Sequence, residues 1–349
     1  MPMKTKTIKA YISTWGVIDV NGNETKWRSE DIKANFLSDL ILSFATISEK
    51  DFCTLDLNEV PDYFDEVQKL KEDYKRLNVC LAIGGGAAGP KSFSKMAKNE
   101  NLKKKFLQNI KSFLKENLTF SGIDIDWEFP EVSDEKNYIK FLSDLRNCLD
   151  SLSAATNIKY QLTTALPVNI AHLYSVLPKI EAYVDSINFM FYDFHSAASN
   201  YAGHNSSLYG EVSIKTCLEK ILSTGLSSSK ITMGLPFYAQ KWDLPSDINY
   251  NNLFTAPLIP FVNGDDYGVA LPVVKRFLAT PEYKNFWDEK QGASYLHNEK
   301  ENIFVSYPSE QFIKEAVNLA REKNITGFMF WEYGQEMSGE LLEVLYSSC

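Results

Sequence analysis

Residues 120–130 read FSGIDIDWEFP. Three acids, Asp124, Asp126 and Glu128, alternate with Ile123, Ile125 and Trp127. In an extended strand successive side chains point to opposite faces. The acids therefore share one face, with successive Cβ atoms about 6–7 Å apart. The other face is apolar and calls for a helix layer to cover it. No Lys or Arg occurs between Ser121 and Glu135 to neutralise the acids locally. Unpaired acids facing an interior cost stability, and some must hold a proton.

Working outward, short apolar and β-branched runs bounded by turn residues recur along the chain. They are IKAYIST (8–14), LILSFAT (40–46), VCLAIGG (79–85), SGIDIDWE (121–128), YQLTTALP (160–167), DSINFMFYD (185–193), KITMGLPFY (230–238) and TGFMFWE (326–332). Amphipathic stretches at helical period separate most of them, as at 92–118, 135–152, 213–222 and 309–322. Alternation of strand and helix predicts parallel strands, and eight units are the count of a (β/α)8 TIM barrel. An open doubly wound sheet is the alternative, and AIGGGAAGP (82–90) matches GxGxxG through Gly84, Gly86 and Gly89. That match follows the third strand rather than the first. Its partner acid should come about 20 residues on, at the end of the next strand, but the nearest candidate, Glu100, lies in a helical stretch and the next strand comes later still, so the barrel is preferred. Inside a barrel the acids point toward the C-terminal mouth, where perturbed carboxyls read as catalytic.

Strand starts lie 25 to 45 residues apart until the last gap, from Lys230 to Thr326. One helix and its loops do not fill that gap. The segment 240–302, rich in Trp, Tyr, Pro and Asp, is therefore expected to be a small insertion subdomain between strands seven and eight, lining the cleft. The barrel then comprises 1–239 and 303–349.

Composition narrows the partners. The 349 residues carry a net charge of -9, which argues against nucleic acid and anionic membranes. Apolar runs fall short of a membrane span. Five cysteines are far apart, and with four histidines they form no ligand spacing, so free thiols, no structural metal and no cofactor are predicted. MPMKTKTIKAYIS has no apolar h-region, so no signal peptide is visible and the compartment stays open. Aromatics reach 13%, which suits either a packed core or a cleft whose rings stack on sugars.

Carboxyls at this spacing suit glycoside hydrolysis, which needs an acid of raised pKa beside a group that stabilises positive charge. SGIDIDWE resembles the DxxDxDxE signature of glycoside hydrolase family 18, the chitinases. AIGG (82–85) resembles the family's SxGG, MFYD (190–193) its MxYD, GLPFYA (234–239) its strand-seven segment and GFMFWE (327–332) its strand-eight segment. AGHNSSLYG (202–210) resembles the loop after strand six, and Tyr11 and Phe44-Ala45 match the aromatic of strand one and the FA pair of strand two. The resemblance covers about residues 7 to 345, with the motifs in order.

The resemblance implies a retaining chitinase without a protein nucleophile, in which the substrate's own N-acetyl oxygen attacks the anomeric carbon. By the same resemblance Glu128 is the general acid and then the base. Asp126 orients the acetamido group, and Asp124 shares a proton with Asp126. Tyr192 donates to the acetamido oxygen, Asp193 binds a sugar hydroxyl, and Trp331 forms the floor of the cleft. Tyr11, Phe44, Met190, Tyr238 and Trp242 complete the substrate-binding candidates, with Trp287 as an outer-subsite candidate. Chitin or chitooligosaccharides are the implied partners, and a monomer is the family-like default. An endo-β-N-acetylglucosaminidase acting on N-glycans and a non-catalytic chitin-binding lectin are the alternatives; lectins of this family usually lack the acid that Glu128 supplies. Two positions depart from the pattern. Ser121 stands where the family has its first acid, and Ala82 where it has a serine. Loss of that hydroxyl would leave Tyr11 as donor to Asp124, raising the pKa of the Asp pair and changing the acidic limb of the pH profile.

Overall fold

The barrel strands are β1 (Thr7–Ser13), β2 (Asp39–Ile47), β3 (Asn78–Gly84), β4 (Gly122–Asp126), β5 (Gln161–Pro167), β6 (Ser186–Met190), β7 (Ile231–Pro236) and β8 (Gly327–Trp331). They belong to a computed structural model that describes residues 6–18, 23–246, 259–265 and 268–349. Neighbours in chain order pair in parallel, and β1 pairs with both β2 and β8, which closes the ring. This is a (β/α)8 barrel, and it excludes the open sheet.

Each strand has one face for the helices and one for the interior. Ile123 and Ile125 are fully buried against the helix layer, and Trp127, just past β4, stacks on Phe93 at 5.1 Å and meets Tyr138 edge-on at 5.7 Å. Inward-facing Tyr11, Ile41, Cys80, Ala82 and Met329 form a separate apolar cluster inside the ring. The amphipathic stretch expected at 92–118 is two helices, Lys91–Lys98 and Glu100–Glu116. Asn99 breaks it: its backbone is extended, and its side chain accepts from the N–H groups of Asn101 and Leu102, capping the second helix.

After β7 the chain leaves the ring. Strand Tyr238–Asp243 pairs antiparallel with Ile303–Tyr307, which pairs with Ala293–Asn298, which pairs with Tyr283–Asp288. A helix, Leu271–Leu278, packs alongside. Within the 240–302 segment, residues 247–258 and 266–267 lie outside the described residues. The subdomain has its own core of Trp242, Leu244, Ile259, Tyr295 and Phe304, joined by Ala202.

Candidate active site

The acids of β4 form a gradient from the interior to the mouth. Asp124 is fully buried, Asp126 is 4% exposed and Glu128 is half-buried. Asp124 accepts from Tyr11 Oη at 2.8 Å, from Thr163 Oγ1 at 2.5 Å and from Asn188 Nδ2 at 3.0 Å. Asn188 Nδ2 also donates to Tyr11 Oη at 2.9 Å. Burial still raises the Asp124 carboxyl, against the pull of those donors. Asp126 is different. Its Oδ1 is buried without a hydrogen-bond partner, and burial with the neighbouring Glu128 and Asp124 holds it well above the usual carboxylate range. Burial and the charge of Asp193 push Glu128 up to about 7, although the Gly86 backbone donates to it.

The glycine turn after β3 serves this arrangement. A Cβ on Gly84, whose φ is +121°, would stand 2.0 Å from the Asp126 carbonyl oxygen. The Gly85 N–H donates to that same oxygen at 2.9 Å. The glycines thus let the turn lie against β4, beside Glu128, rather than around a phosphate.

Asp193 follows β6 with φ of +54°, and its N–H donates to Asn205 Oδ1 at 2.8 Å. Its Oδ1 accepts from Tyr238 Oη at 2.6 Å and Gln240 Nε2 at 2.9 Å. Tyr192 is half-buried and meets Tyr238 edge-on at 6.0 Å. Burial and the acids around it, Asp126 first, keep the Tyr192 phenol protonated well above its ordinary range. Trp331, half-buried at the end of β8, stacks on Phe44 at 5.6 Å and lies 5.8 Å from Tyr11. Met190, Tyr192 and Phe44 pack at the same apolar cluster.

The structure thus gathers Glu128, Asp126, Asp124, Tyr192, Asp193, Trp331, Tyr11, Phe44, Met190 and Tyr238 at one end of the barrel. It does not bring Trp242 there. Trp242 is fully buried and stacks on Phe304 at 5.3 Å, so its expected place in the cleft is corrected: the ring fills the subdomain core. Trp287 is half-buried in a groove with Leu278, Phe286 and Tyr307, and none of the gathered residues lines that groove. The expectation that Tyr11 alone supports Asp124 is also corrected, because Thr163 and Asn188 supply donors from β5 and β6. Ser121 lies at the far end of β4, where its Oγ accepts from the Val79 N–H at 3.2 Å. Its departure from an acid therefore sits apart from the acids at the mouth.

Sequence reasoning also missed Trp15 and Glu332. Trp15 is 45% exposed and within 6.1 Å of both Phe44 and Trp331, extending the aromatic floor. Its place directly after a barrel strand was the available signal. Glu332 is buried, accepts from the Ser13 N–H at 2.9 Å and is pushed up to about 7 by burial. It ties the end of β8 to the end of β1, the two elements that carry Trp331 and Trp15.

The model of glycosyl hydrolases family 18 matches residues 7–336. The chain belongs to glycosyl hydrolase family 18. Within this family it is 25% identical to Probable chitinase 2 of Drosophila melanogaster over 95% of the chain and 72% of that protein. It is 26% identical to Chitinase A1 of Niallia circulans over 77% of the chain but only 42% of that longer protein. Among solved family 18 structures, a chitinase from Cycas revoluta in complex with (GlcNAc)3 superposes with a TM-score of 0.84 at 19% identity, covering 98% of this chain and 99% of that one. A chitinase from Trichuris suis gives 0.84 at 24% identity, covering 97% and 95%. Among the described residues no group of His, Cys, Asp and Glu could hold a metal, and no helix is long and apolar enough to cross a membrane.

Proposed function

We propose that this family 18 hydrolase is a chitinase that cleaves β-1,4 linkages between N-acetylglucosamine units with retention, by substrate assistance. The observation that carries the reading is the pairing of two acids. Asp126 is raised and has an unpartnered buried oxygen, and Glu128 is poised near 7 above it. The (GlcNAc)3 in the Cycas revoluta relative gives independent support for the ligand class.

In this reading the sugar's acetamido oxygen attacks its own anomeric carbon while Glu128 passes its proton to the departing glycosidic oxygen. A group poised near neutral serves both this step and the next, in which Glu128 takes a proton from the water that opens the oxazolinium ion. Asp126 accepts the acetamido N–H through the oxygen that lacks a partner, and its charge stabilises the cation as it forms. Tyr192, kept protonated, donates to the acetamido oxygen and holds it near the anomeric carbon. Asp193, fixed by Tyr238 and Gln240, accepts a sugar hydroxyl. Trp331 and Phe44 lie under the ring.

The test is hydrolysis of a chitooligosaccharide followed by proton NMR. A β-anomer as the first new reducing end is expected, and an α-anomer would exclude the mechanism. Release of glycan from a high-mannose glycoprotein in preference to chitooligosaccharide cleavage would replace chitin with an N-glycan substrate. Binding without any cleavage would leave a lectin.

A further inference from the structure

Below the acids, the barrel interior holds a charge that the proposed mechanism does not use. Lys9 is 4% exposed and stands on β1 two residues before Tyr11, so both side chains point inward. Its Nζ donates to Ser186 Oγ at 2.6 Å. Ser186 stands on β6 two residues before Asn188. Tyr11 and Asn188 both hydrogen-bond to Asp124. The Lys9–Ser186 pair therefore lies one side-chain layer beneath Asp124, about 6–7 Å along the strands.

We propose that the Lys9 ammonium is the interior countercharge of the Asp124–Asp126 pair, a positioning residue acting through Asp124 that holds the pair at one shared proton and one negative charge. The groups that act on Asp124 directly are neutral apart from its partner acid. Tyr11 comes from β1, Thr163 from β5 and Asn188 from β6, with Asp126 on its own strand. Cys80 from β3, Tyr138 from the helix Glu135–Thr156 and Tyr192 beyond β6 feel its charge. Around Lys9 itself stand Cys80 and its register partner on β2, Asp39. Asp39 is engaged by Ser38 Oγ and by Asn78 Nδ2, and it forms no ion pair with Lys9 among the described residues. The field of Lys9 lowers the Asp124 carboxyl against the burial that raises it, whereas Asp126 has no such support. A charge acts strongly across one layer of a dry interior. Lys9 thus supplies from beneath part of what Ala82 cannot supply from the side.

This inference rests on the proposed reaction, in which the Asp pair must carry one negative charge. Removing the Lys9 charge makes Asp124 hold its proton to higher pH. The pair then becomes doubly protonated at higher pH, and activity is lost there. In Lys9→Met the acidic limb of kcat/KM on a chromogenic chitobioside is expected to move up by about one pH unit. The alkaline limb, set by Glu128, stays in place. Ser186→Ala, which removes the hydrogen bond but keeps the charge, leaves both limbs unmoved. An acidic limb that stays at its wild-type position in folded Lys9→Met overturns the proposal. Should Lys9→Met not fold, the double variant Lys9→Met/Asp124→Asn is expected to fold. Failure of the double variant as well would assign Lys9 to packing or to Asp39 and overturn the proposal. A wild-type chain that cleaves nothing would sink the functional reading alone. The Lys9–Asp124 coupling would then be read from the unfolding temperatures of the two single variants and the double variant, with additive changes as the contrary result.

Discussion

Trp331 and Trp242 both stack on a phenylalanine, at 5.6 Å on Phe44 and at 5.3 Å on Phe304, yet the two regions do opposite things. At the barrel mouth the stack stays open. Trp331 is half-buried, Trp15 beside it is 45% exposed, and the acids of β4 stand opposite. In the insertion the stack is closed. Trp242 is sealed by Phe304, Tyr295 and Leu244, and Phe286 stacks on Tyr295 at 5.0 Å. The same residue types hold a subdomain together in one place and present a platform in the other. The position of each ring decides which. The platform rings sit at the C-terminal ends of parallel strands, where a barrel opens. The sealed rings sit on an antiparallel sheet whose central strands, Ala293–Asn298 and Ile303–Tyr307, are buried on both faces.

The comparison is broken most severely by Trp242→Ala, which removes the centre of the closed stack. It is expected to lower stability by about 3–5 kcal/mol, read from urea unfolding. The rate per folded molecule is expected to stay unchanged, and a lost rate at full folding would return Trp242 to the cleft. Next in size is Asp126→Asn on the open side. It removes the charge that faces the forming cation and is expected to lower kcat by about 100- to 1000-fold, a loss of about 3–4 kcal/mol. Thermal unfolding should not suffer, because the buried Oδ1 has no partner to lose.

A smaller effect follows from Glu128, poised at about 7. The proton it must donate is present below that pH and lost above it. The pH profile of kcat/KM is therefore expected to fall about tenfold per unit on the alkaline side of 7. A flat profile up to pH 9 would contradict the assignment. Smallest is Trp15→Ala at the exposed edge of the platform. Losing one stacking face of about 0.5–1.5 kcal/mol raises KM on long oligosaccharides several-fold, with kcat nearly unchanged. A fall in kcat alone would place Trp15 with the reacting groups instead.

Much of this was legible in the sequence because it depends on local periodicity. The strand runs, the alternating acids and the aromatic at the end of strand eight are each visible within a few residues. What escaped depends on register between distant strands. Thr163 and Asn188 meet Asp124 only because β5 and β6 align with β4, and Lys9 lies beneath it only because the ring closes. Each is a polar residue at a buried, inward position of a barrel strand, and that was a usable signal. Trp242 was misplaced for a related reason. Its burial is set by how the insertion folds on itself, and composition does not reveal which face of an antiparallel strand is covered. Asn99 escaped because an amphipathic pattern runs through the cap that divides two helices.

The account stands on Glu128 acting as the acid over a cleft that is otherwise intact. The direct measurement is hydrolysis of a chromogenic chitotrioside by the wild type and by Glu128→Gln, with chitooligosaccharide binding measured in parallel. The expected result is clear wild-type activity, a loss of about 100- to 10,000-fold in Glu128→Gln, and binding retained in both. Equal rates in the two proteins, or binding without hydrolysis by the wild type, would contradict it.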